Sequence, residues 1–221
     1  VSTLSKTGSN NIAPFSYFNG VCSKPPTIMF APARRGWDGR EKDTLINIRD
    51  NKEFVINMVS ENFAEKMVSC STDFDSDVDE FQISGLTPQQ SEKISTPRLK
   101  ESKISFECKL NQIVEIGKGE AGSGFIVIGT IVLFHIDKSV YKDGHILLDK
   151  LETLGRLAGN SYTRLNDRID IAKKLNVDGV HLGKEDGSIK NARSVLGNLK
   201  IIGSSCYNNK NLSMKSQNLG A

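Results

Sequence analysis

The sequence has few cysteines, no long apolar run and little net charge. Its four cysteines, Cys22, Cys70, Cys108 and Cys206, make no Cys-x-x-Cys pair, which argues against a zinc site and against a disulfide framework. We therefore expect buried or half-buried free thiols in a reducing, cytoplasmic environment. No apolar run approaches the ~20 residues that span a bilayer, and no signal peptide is visible. The formal net charge of +3 is too small to indicate a nucleic-acid or membrane partner.

The composition is typical of a folded globular protein. Hydrophobic residues make up 38% and charged residues 25% of the 221 residues, so wholesale disorder is not expected. A chain of this length holds one domain with a substantial core, or one domain and a piece of another.

The stretch Asn10–Phe30 is the centre of our interpretation. Two aromatic and β-branched runs, Ile12–Phe18 and Thr27–Phe30, predict strands, with Asn19-Gly20 as a turn between them. Pro25-Pro26 fixes an extended backbone that donates no ladder hydrogen bonds. These interruptions make sense if the segment turns its backbone and its hydroxyls toward a planar ligand. The alternative is an ordinary strand–turn–strand in a β core, which explains the aromatic residues but not the serines and the proline pair.

The run Ala13–Pro26, which reads Ala-Pro-Phe-Ser-Tyr-Phe-Asn-Gly-Val-Cys-Ser-Lys-Pro-Pro, resembles the signature of the flavin reductase-like FMN-binding family. The resemblance covers residues 1–165 and implies a mainly β fold, an FMN-binding split β-barrel with short helices, whose first strand we expect to be clipped. It also implies NAD(P)H-dependent reduction of flavin, a homodimer and, as one option, a monooxygenase partner. Contacts to the flavin ring and ribityl chain are expected from Ser16, Phe18, Asn19 and Ser23. The sequence does not choose between NADH and NADPH.

A predicted helix begins at Lys42-Asp43-Thr44 and is preceded by an arginine-rich loop. The family has a comparable Lys-Asp-Thr near the flavin phosphate, so the resemblance implies that Lys42, Asp43, Thr44 and Arg35 serve this group. A helix N-terminus, hydroxyls and cations together favour a phosphate. We expect Asp43 to cap the helix while Thr44 and Lys42 face the anion. The alternative is a plain N-cap beside a solvated arginine-rich loop.

The segment Leu154–Leu165 carries a second match. It resembles the Arg-Leu-x-Gly-x-x-Tyr that closes the family's domain, and it implies that Arg156 and Tyr162 lie near the flavin ring or the nicotinamide pocket. For Tyr162 the alternative is simple packing against the barrel.

A strand over Glu53–Val59 and a helix over Glu61–Cys70, capped by Ser60, are predicted between these motifs. The buried face of this helix is expected to contain Phe63, Met67 and Val68.

Two sequence patterns partly match the motifs of known calcium-binding and dinucleotide-binding sites. Asp73–Glu80 looks like a calcium loop but lacks the glycine and the glutamate that an EF-hand requires, so we expect a solvated acidic loop. Gly117–Gly122 has Gly-x-Gly-x-x-Gly spacing but precedes a strand instead of a helix, which predicts a glycine-rich hairpin. The flanking strands are Ile104–Ile116 and an apolar, central strand that ends at Ile136. His135 in that strand is expected to be a hydrogen-bonded structural residue.

The pattern changes at Asn166. A helix over Arg168–Leu175, a strand over Gly179–Leu182, a helix over Ser188–Leu196 and a strand over Lys200–Gly203 alternate, which predicts parallel strands.

Residues 166–221 resemble thiamine-phosphate synthase, a (β/α)8 barrel. The resemblance implies that Asp167 and Asp186 hold Mg²⁺, that Asn166 assists and that Ser205 contacts pyrophosphate. A barrel of this type needs roughly 200 residues, so this partial α/β, TIM-barrel-like fragment is expected to be inactive. Two other functions stay open: a Mg-dependent thiamine-phosphate synthase, and a non-catalytic FMN-binding redox carrier.

Overall fold

The computed structural model describes residues 1–156, 162–164, 179–182, 188–204 and 210–219. The chain divides into two compact units, Val1–Arg164 and Leu165–Ala221.

The first unit is mainly β. Its strands are β1 Ser2–Leu4, β2 Asn10–Ile12, β3 Phe18–Ser23, β4 Pro26–Phe30, β5 Glu53–Asn57, β6 Pro88–Gln89, β7 Arg98–Leu99, β8 Ile104–Ile116, β9 Gly124–Ile136, β10 Tyr141–Lys142, β11 His145–Ile146, β12 Leu154–Arg156 and β13 Tyr162–Arg164. Its helices are α1 Asp43–Asn51, α2 Ala64–Ser69, α3 Glu80–Ser84 and α4 Leu148–Leu151, with 3-10 turns at Glu61–Phe63 and Lys138–Val140.

Seven of these strands form one sheet in the order β2-β1-β5-β8-β9-β4-β3. All neighbouring strands in it are antiparallel. β8 and β9 are 13 residues long each and form its central hairpin. The connection between them contains Gly117, Gly119 and Gly122, all with positive φ. The glycine-rich hairpin and the central position of the apolar strand are therefore both confirmed.

Helix α1 packs across this sheet. Its residues Leu45 and Ile48 are buried against Phe30, Phe54 and Phe125 of the strands. The helix ends at Asn51, and the C-cap residue Lys52 has left-handed backbone torsions (φ 62°) and donates its N–H to the carbonyl of Ile48. Burial of the apolar side of α1 fixes where its first turn, and thus Lys42 and Asp43, lies relative to β2.

The segment after β2 differs from the prediction. β2 ends at Ile12, and Asn19-Gly20 lies inside β3, where a bulge follows Gly20; the turn is at Lys24-Pro25, which are joined by a cis peptide bond. β3 is an edge strand with all six residues exposed, and an edge tolerates a bulge. Cys22 in this strand is consequently exposed, which corrects the expectation of a buried thiol, whereas Cys70 and Cys108 are buried.

The predicted helix 61–70 also needs a correction. The hydroxyl of Ser60 donates to the carbonyl of Leu151 at 2.7 Å, and its side chain makes no capping hydrogen bond. A 3-10 turn with a three-residue period precedes α2, so the predicted helical face is displaced. Phe63 and Met67 are buried as predicted, but Val68 is 46% exposed.

The second unit contains two parallel strands. β14 Gly179–Leu182 pairs with β15 Ile201–Ser204, and the helices Ile189–Leu196 and Lys210–Asn218 follow β14 and β15 in turn. The N–H of Asn191 donates to the Ser188 hydroxyl at 3.1 Å, so Ser188 caps the first of these helices. The predicted βα alternation with parallel strands is confirmed, and the predicted helix Arg168–Leu175 lies outside the described residues.

Candidate functional site

A cleft of about 200 Å³ opens at the start of α1. The residues that line it come from the backbone that leaves β2 at Ala13 and Pro14, the first turn of α1, the loop between α2 and α3, the loop before α1 and strand β12. Among the residues proposed from the sequence, those that line it are Arg35, Lys42, Asp43, Thr44 and Arg156. The fold thus brings together residues from two separate predicted motifs, the Lys42-Asp43-Thr44 helix start with its preceding loop and the segment Leu154–Leu165.

The start of α1 supplies hydrogen-bond donors to this cleft. Lys42 occupies the N-cap position in an extended conformation, and its side chain makes no capping hydrogen bond. Leu45 and Ile46 donate their N–H groups to the carbonyl of Lys42. The N–H groups that precede them in the first turn have no carbonyl within the helix to bind, and the helix dipole adds positive potential there. Asp43 is therefore a first-turn residue, not the cap that the sequence predicted.

Two cations lie at the same end of the helix. Arg35 donates from Nη2 to Asp43 Oδ2 at 2.9 Å, and its Nε lies 3.8 Å from Asp73 Oδ1. Lys42 Nζ lies 3.2 Å from the same Asp73 oxygen. Arg35 is only 8% exposed, and its Nε has no hydrogen-bond partner among the residues that the structure describes. The arginine-rich loop is thus not merely solvated, because Arg35 is buried beside the cleft.

A buried polar network lies below the first turn of α1. Asn11 Oδ1 accepts hydrogen bonds from the hydroxyls of Thr44 at 2.9 Å and Thr3 at 3.0 Å. Asn11 Nδ2 donates to Glu80 Oε1 at 2.7 Å, and the other Glu80 oxygen accepts from the N–H of Ile12. Burial raises the pKa of the Glu80 carboxyl although these donors act to lower it. Since the Thr44 hydroxyl donates its hydrogen within this network, the donor that Thr44 can offer a ligand is its backbone N–H.

The remaining residues that were proposed from the sequence lie elsewhere in the first unit. Phe18, Asn19 and Ser23 are exposed on the edge strand β3, and Ser16 is exposed just before it. They are not among the residues that line the cleft. Tyr162 pairs with Arg156 across β12 and β13, and the Arg156 guanidinium lies 5.8 Å from the centre of the Tyr162 ring.

The residues Asp167 and Asp186, proposed from the sequence to hold Mg²⁺, lie outside the described residues, as do Asn166 and Ser205.

Sequence reasoning missed two acidic residues of the cleft. Asp73 and Glu80 were assigned to a solvated loop, but both line the cleft and Glu80 is only 7% exposed. Burial would raise the pKa of Asp73, but the hydrogen bond and charge of Lys42 together with Trp37 and Arg35 lower it below its ordinary value. Glu80 begins helix α3, which Asp79 caps by accepting from the N–H of Phe81 at 2.9 Å. That Asp-Glu-Phe cap, together with Gly85 at the helix end, is a local signal that the acidic run ends in a helix.

The first unit matches the family model described as "Flavin reductase like domain" over residues 1–155. An uncharacterized protein of Aquifex aeolicus is 40% identical over 165 residues, which are 74% of this chain and 81% of the relative. The crystal structure of nitrilotriacetate monooxygenase component B from Bacillus cereus is 33% identical with a TM-score of 0.71, and the match covers 75% of this chain and 81% of that one.

Two further solved structures are similar. One is the 2-nitrobenzoate 2-nitroreductase NbaA of Pseudomonas fluorescens, at 33% identity and a TM-score of 0.66, with 76% of this chain and 79% of that one covered. The other, from Shewanella frigidimarina, is assigned to the flavin reductases with a split barrel domain; it is 25% identical with a TM-score of 0.65, and 75% and 79% of the two chains are covered. The first unit therefore has the mainly β, split-barrel fold that the sequence predicted.

The C-terminal residues 146–221 match the model "Thiamine monophosphate synthase". The thiamine-phosphate synthase of Methylobacillus flagellatus is 53% identical over 57 residues, which are 26% of this chain and 27% of that enzyme. The similarity therefore covers about a quarter of the enzyme.

Among the helices within the described ranges, none is long and apolar enough to cross a bilayer.

Proposed function

Because the chain belongs to the flavin reductase-like domain family, we propose that it is an FMN-binding flavoprotein that reduces flavin with NADH or NADPH. The observation that carries this proposal is the cleft at the start of α1, where Arg35 and Lys42 lie beside first-turn N–H groups that have no acceptor within the helix. The names of the similar structures, a monooxygenase component and a nitroreductase, support a redox role.

The residues of the cleft fit the phosphate of FMN. A phosphate monoester carries close to two negative charges at neutral pH and accepts several hydrogen bonds. Lys42 and Arg35 would neutralise it, and the buried Nε of Arg35, which lacks a partner among the described residues, would gain an acceptor. The N–H groups of Asp43 and Thr44 would bind the remaining oxygens. Asp43 would hold the Arg35 guanidinium in place through their ion pair.

The ring of FMN would extend from this cleft along the backbone that leaves Ala13 and Pro14. Ser16, Phe18, Asn19 and Ser23, which follow in the chain and are exposed, remain our proposed contacts to the ring and the ribityl chain. Arg156, which lines the cleft, and its neighbour Tyr162 are proposed near the ring. When bound, FMN supplies the hydride-accepting centre; the residues of this chain hold it and orient it toward the nicotinamide.

A homodimer and a partner oxygenase are part of the proposal. The exposed edge strand β3 with its apolar residues Phe18 and Val21, and Tyr17 just before it, support a second copy that covers this surface. The name of the Bacillus cereus structure, a monooxygenase component, supports transfer of reduced flavin to an oxygenase.

For residues 166–221 we propose a thiamine-phosphate synthase-like segment that follows a flavin domain of residues 1–165. The described part contains two parallel strands and two helices, whereas the barrel needs eight strands to assemble its site. We expect no Mg²⁺-dependent formation of thiamine phosphate by the purified chain.

Flavin binding and turnover test the function directly. Purified protein is titrated with FMN, with riboflavin as the matched ligand that lacks the phosphate, and oxidation of NADH and NADPH is then followed with FMN present. We expect FMN to bind at least tenfold more tightly than riboflavin, and one of the two nicotinamides to be oxidised catalytically. FMN binding without such oxidation would assign a redox carrier instead, and absence of FMN binding would refute the proposal.

A further inference from the structure

The cations of the proposed phosphate site are occupied by a side chain of the protein itself. Asp73 Oδ1 lies 3.2 Å from Lys42 Nζ and 3.8 Å from Arg35 Nε, and Asp73 Oδ2 accepts a hydrogen bond from Trp37 Nε1 at 3.3 Å. Asp73 belongs to the loop between α2 and α3, whose residues Ser71 to Phe74 line the cleft. A carboxylate therefore sits between the two cations that the phosphate would need.

The two acidic partners of Arg35 differ in kind. Asp43 is bound through Nη2 at 2.9 Å and belongs to α1, so it moves with the helix. Asp73 faces Nε at 3.8 Å, too far for a hydrogen bond, and leaves that buried atom without a partner among the described residues. Arg35 thus keeps one fixed acidic partner, while its contact with Asp73 is loose.

The contact between Asp73 and Lys42 is also open to exchange. Both side chains are about one-third exposed, at 31% each, and an ion pair of that exposure contributes little net stability because water screens it. A phosphate monoester carries more charge than one carboxylate and has three oxygens for hydrogen bonds. It would therefore replace the carboxylate at both cations.

We propose that Asp73 is an internal competitor for the phosphate of FMN, and that its carboxylate leaves Lys42 and Arg35 when a phosphate monoester enters the cleft. The inference rests on the proposed function, since it concerns the same cleft. The Asp73 side chain of the loop between α2 and α3 then has to leave both cations for the phosphate to bind. Asp73 consequently sets how strongly the site prefers a phosphorylated flavin over the same flavin without phosphate.

Binding of FMN and of riboflavin to Asp73→Asn tests this competition in the full chain. Asn has nearly the same shape as Asp but no charge, so it no longer competes for the cations. We expect Asp73→Asn to bind FMN roughly fivefold more tightly than the wild type, the change that corresponds to loss of one partly exposed ion pair, and to bind riboflavin unchanged. Asp73→Ala should behave in the same way.

Asp77→Asn is the matched control, because Asp77 is an exposed aspartate of the same loop and forms no ion pair with Lys42 or Arg35. It should bind both flavins as the wild type does. If the wild type binds FMN but Asp73→Asn binds it equally or more weakly, the competition is refuted and the flavin function stands. An equal gain for riboflavin would also refute it, because the effect would not depend on the phosphate. If no form of the protein binds FMN, the proposed function fails and this inference fails with it.

Discussion

The hydroxyl of Thr44 donates a hydrogen bond to Asn11 Oδ1 at 2.9 Å, and this bond joins the first turn of α1 to strand β2. Both residues are buried, with Thr44 only 1% exposed. The bond fixes the helix start, and with it Lys42 and Asp43, against the backbone that leaves β2 at Ala13. The candidate cleft therefore depends on a buried polar contact between two of its own lining residues.

The substitution Thr44→Val should weaken the fold. It keeps the volume of the side chain but removes the donor, so Asn11 Oδ1 retains only the bond from Thr3. We expect the free energy of unfolding to fall by about 1–3 kcal/mol, as measured by urea denaturation. Thr44→Ser, which keeps the hydroxyl, is the matched control and should lose less. Equal losses in the two variants would mean that the methyl group, not the hydrogen bond, matters.

The substitution Lys42→Met should weaken the binding of FMN but not of riboflavin. Met keeps the length of the side chain and removes the charge that we place on the phosphate. We expect the FMN dissociation constant to rise about tenfold, equivalent to about 1.4 kcal/mol, in a titration followed by flavin fluorescence. Lys24→Met, in the exposed turn between β3 and β4, serves as the control. A parallel loss for riboflavin would place Lys42 away from the phosphate.

Acid should destabilise the first unit through Glu107. This fully buried carboxylate accepts from the N–H groups of Glu92 and Lys93, each at 2.7 Å, and lies 2.6 Å from His135 Nε2, as expected for a structural histidine. Burial would raise the pKa of Glu107, but these hydrogen bonds outweigh it and the pKa is lowered. Because the folded pKa lies below the unfolded one, the stabilisation is present above the unfolded pKa, about 4.3 for Glu, and is lost as the pH falls through the folded pKa.

The variant Glu107→Gln tests this pH dependence. At pH 7 it should lose about 1–3 kcal/mol of unfolding free energy. The carboxylate of Glu107 accepts at both oxygens, whereas the amide of Gln has a single acceptor oxygen. Its stability should also decline less steeply than that of the wild type on acidification, as measured by denaturation at a series of pH values. Glu65→Gln, an exposed change on α2, is the control. If the unfolding free energy of Glu107→Gln fell with pH as steeply as that of the wild type, other carboxyl groups would cause the acid sensitivity.

The substitution Gly129→Ala should destabilise the centre of the sheet. A Cβ on Gly129 of β9 would lie 2.7 Å from Phe54 Cε1 and 3.3 Å from Cys108 Cβ, and both neighbours are completely buried. We expect a loss of about 1–3 kcal/mol in denaturant unfolding, since neither neighbour can move aside without strain. Gly20→Ala on edge strand β3 is the matched control, because a Cβ there meets no atom within 4 Å. Similar losses in both variants would show that the effect arises from the backbone.

Removal of residues 165–221 should leave flavin binding intact. The cleft residues, including Arg156, all belong to the unit that ends at Arg164. We expect the shortened chain to bind FMN with the wild-type dissociation constant and to unfold in one calorimetric transition that is also present in the full chain. Loss of folding or of FMN binding would show that the first unit needs the C-terminal residues, contrary to the domain division that we propose.

Local sequence determined the framework of this protein. The long strands Ile104–Ile116 and Gly124–Ile136 were predictable because their hydrophobic pattern and bounding glycines act over a few residues, and the structure has them at nearly those limits. The helix start at Lys42-Asp43-Thr44 and the parallel βα pattern of the C-terminal unit were predictable for the same reason. The resemblance in Ala13–Pro26 was likewise a property of contiguous residues.

Only the tertiary structure decided what surrounds the proposed phosphate site. Asp73 and Asn11 are far from Lys42 and Thr44 in the sequence. No local pattern predicts that the Asp73 carboxylate pairs with Lys42, or that the Asn11 side chain accepts a hydrogen bond from the buried Thr44 hydroxyl. A run of acidic residues predicts solvation, because charged groups are costly to bury alone. Hydrogen-bond donors of Asn11 and Ile12, which folding brings near, reverse that expectation for Glu80. The strand that pairs with β3 was also not predictable locally, since pairing partners follow from the order of the strands in the sheet.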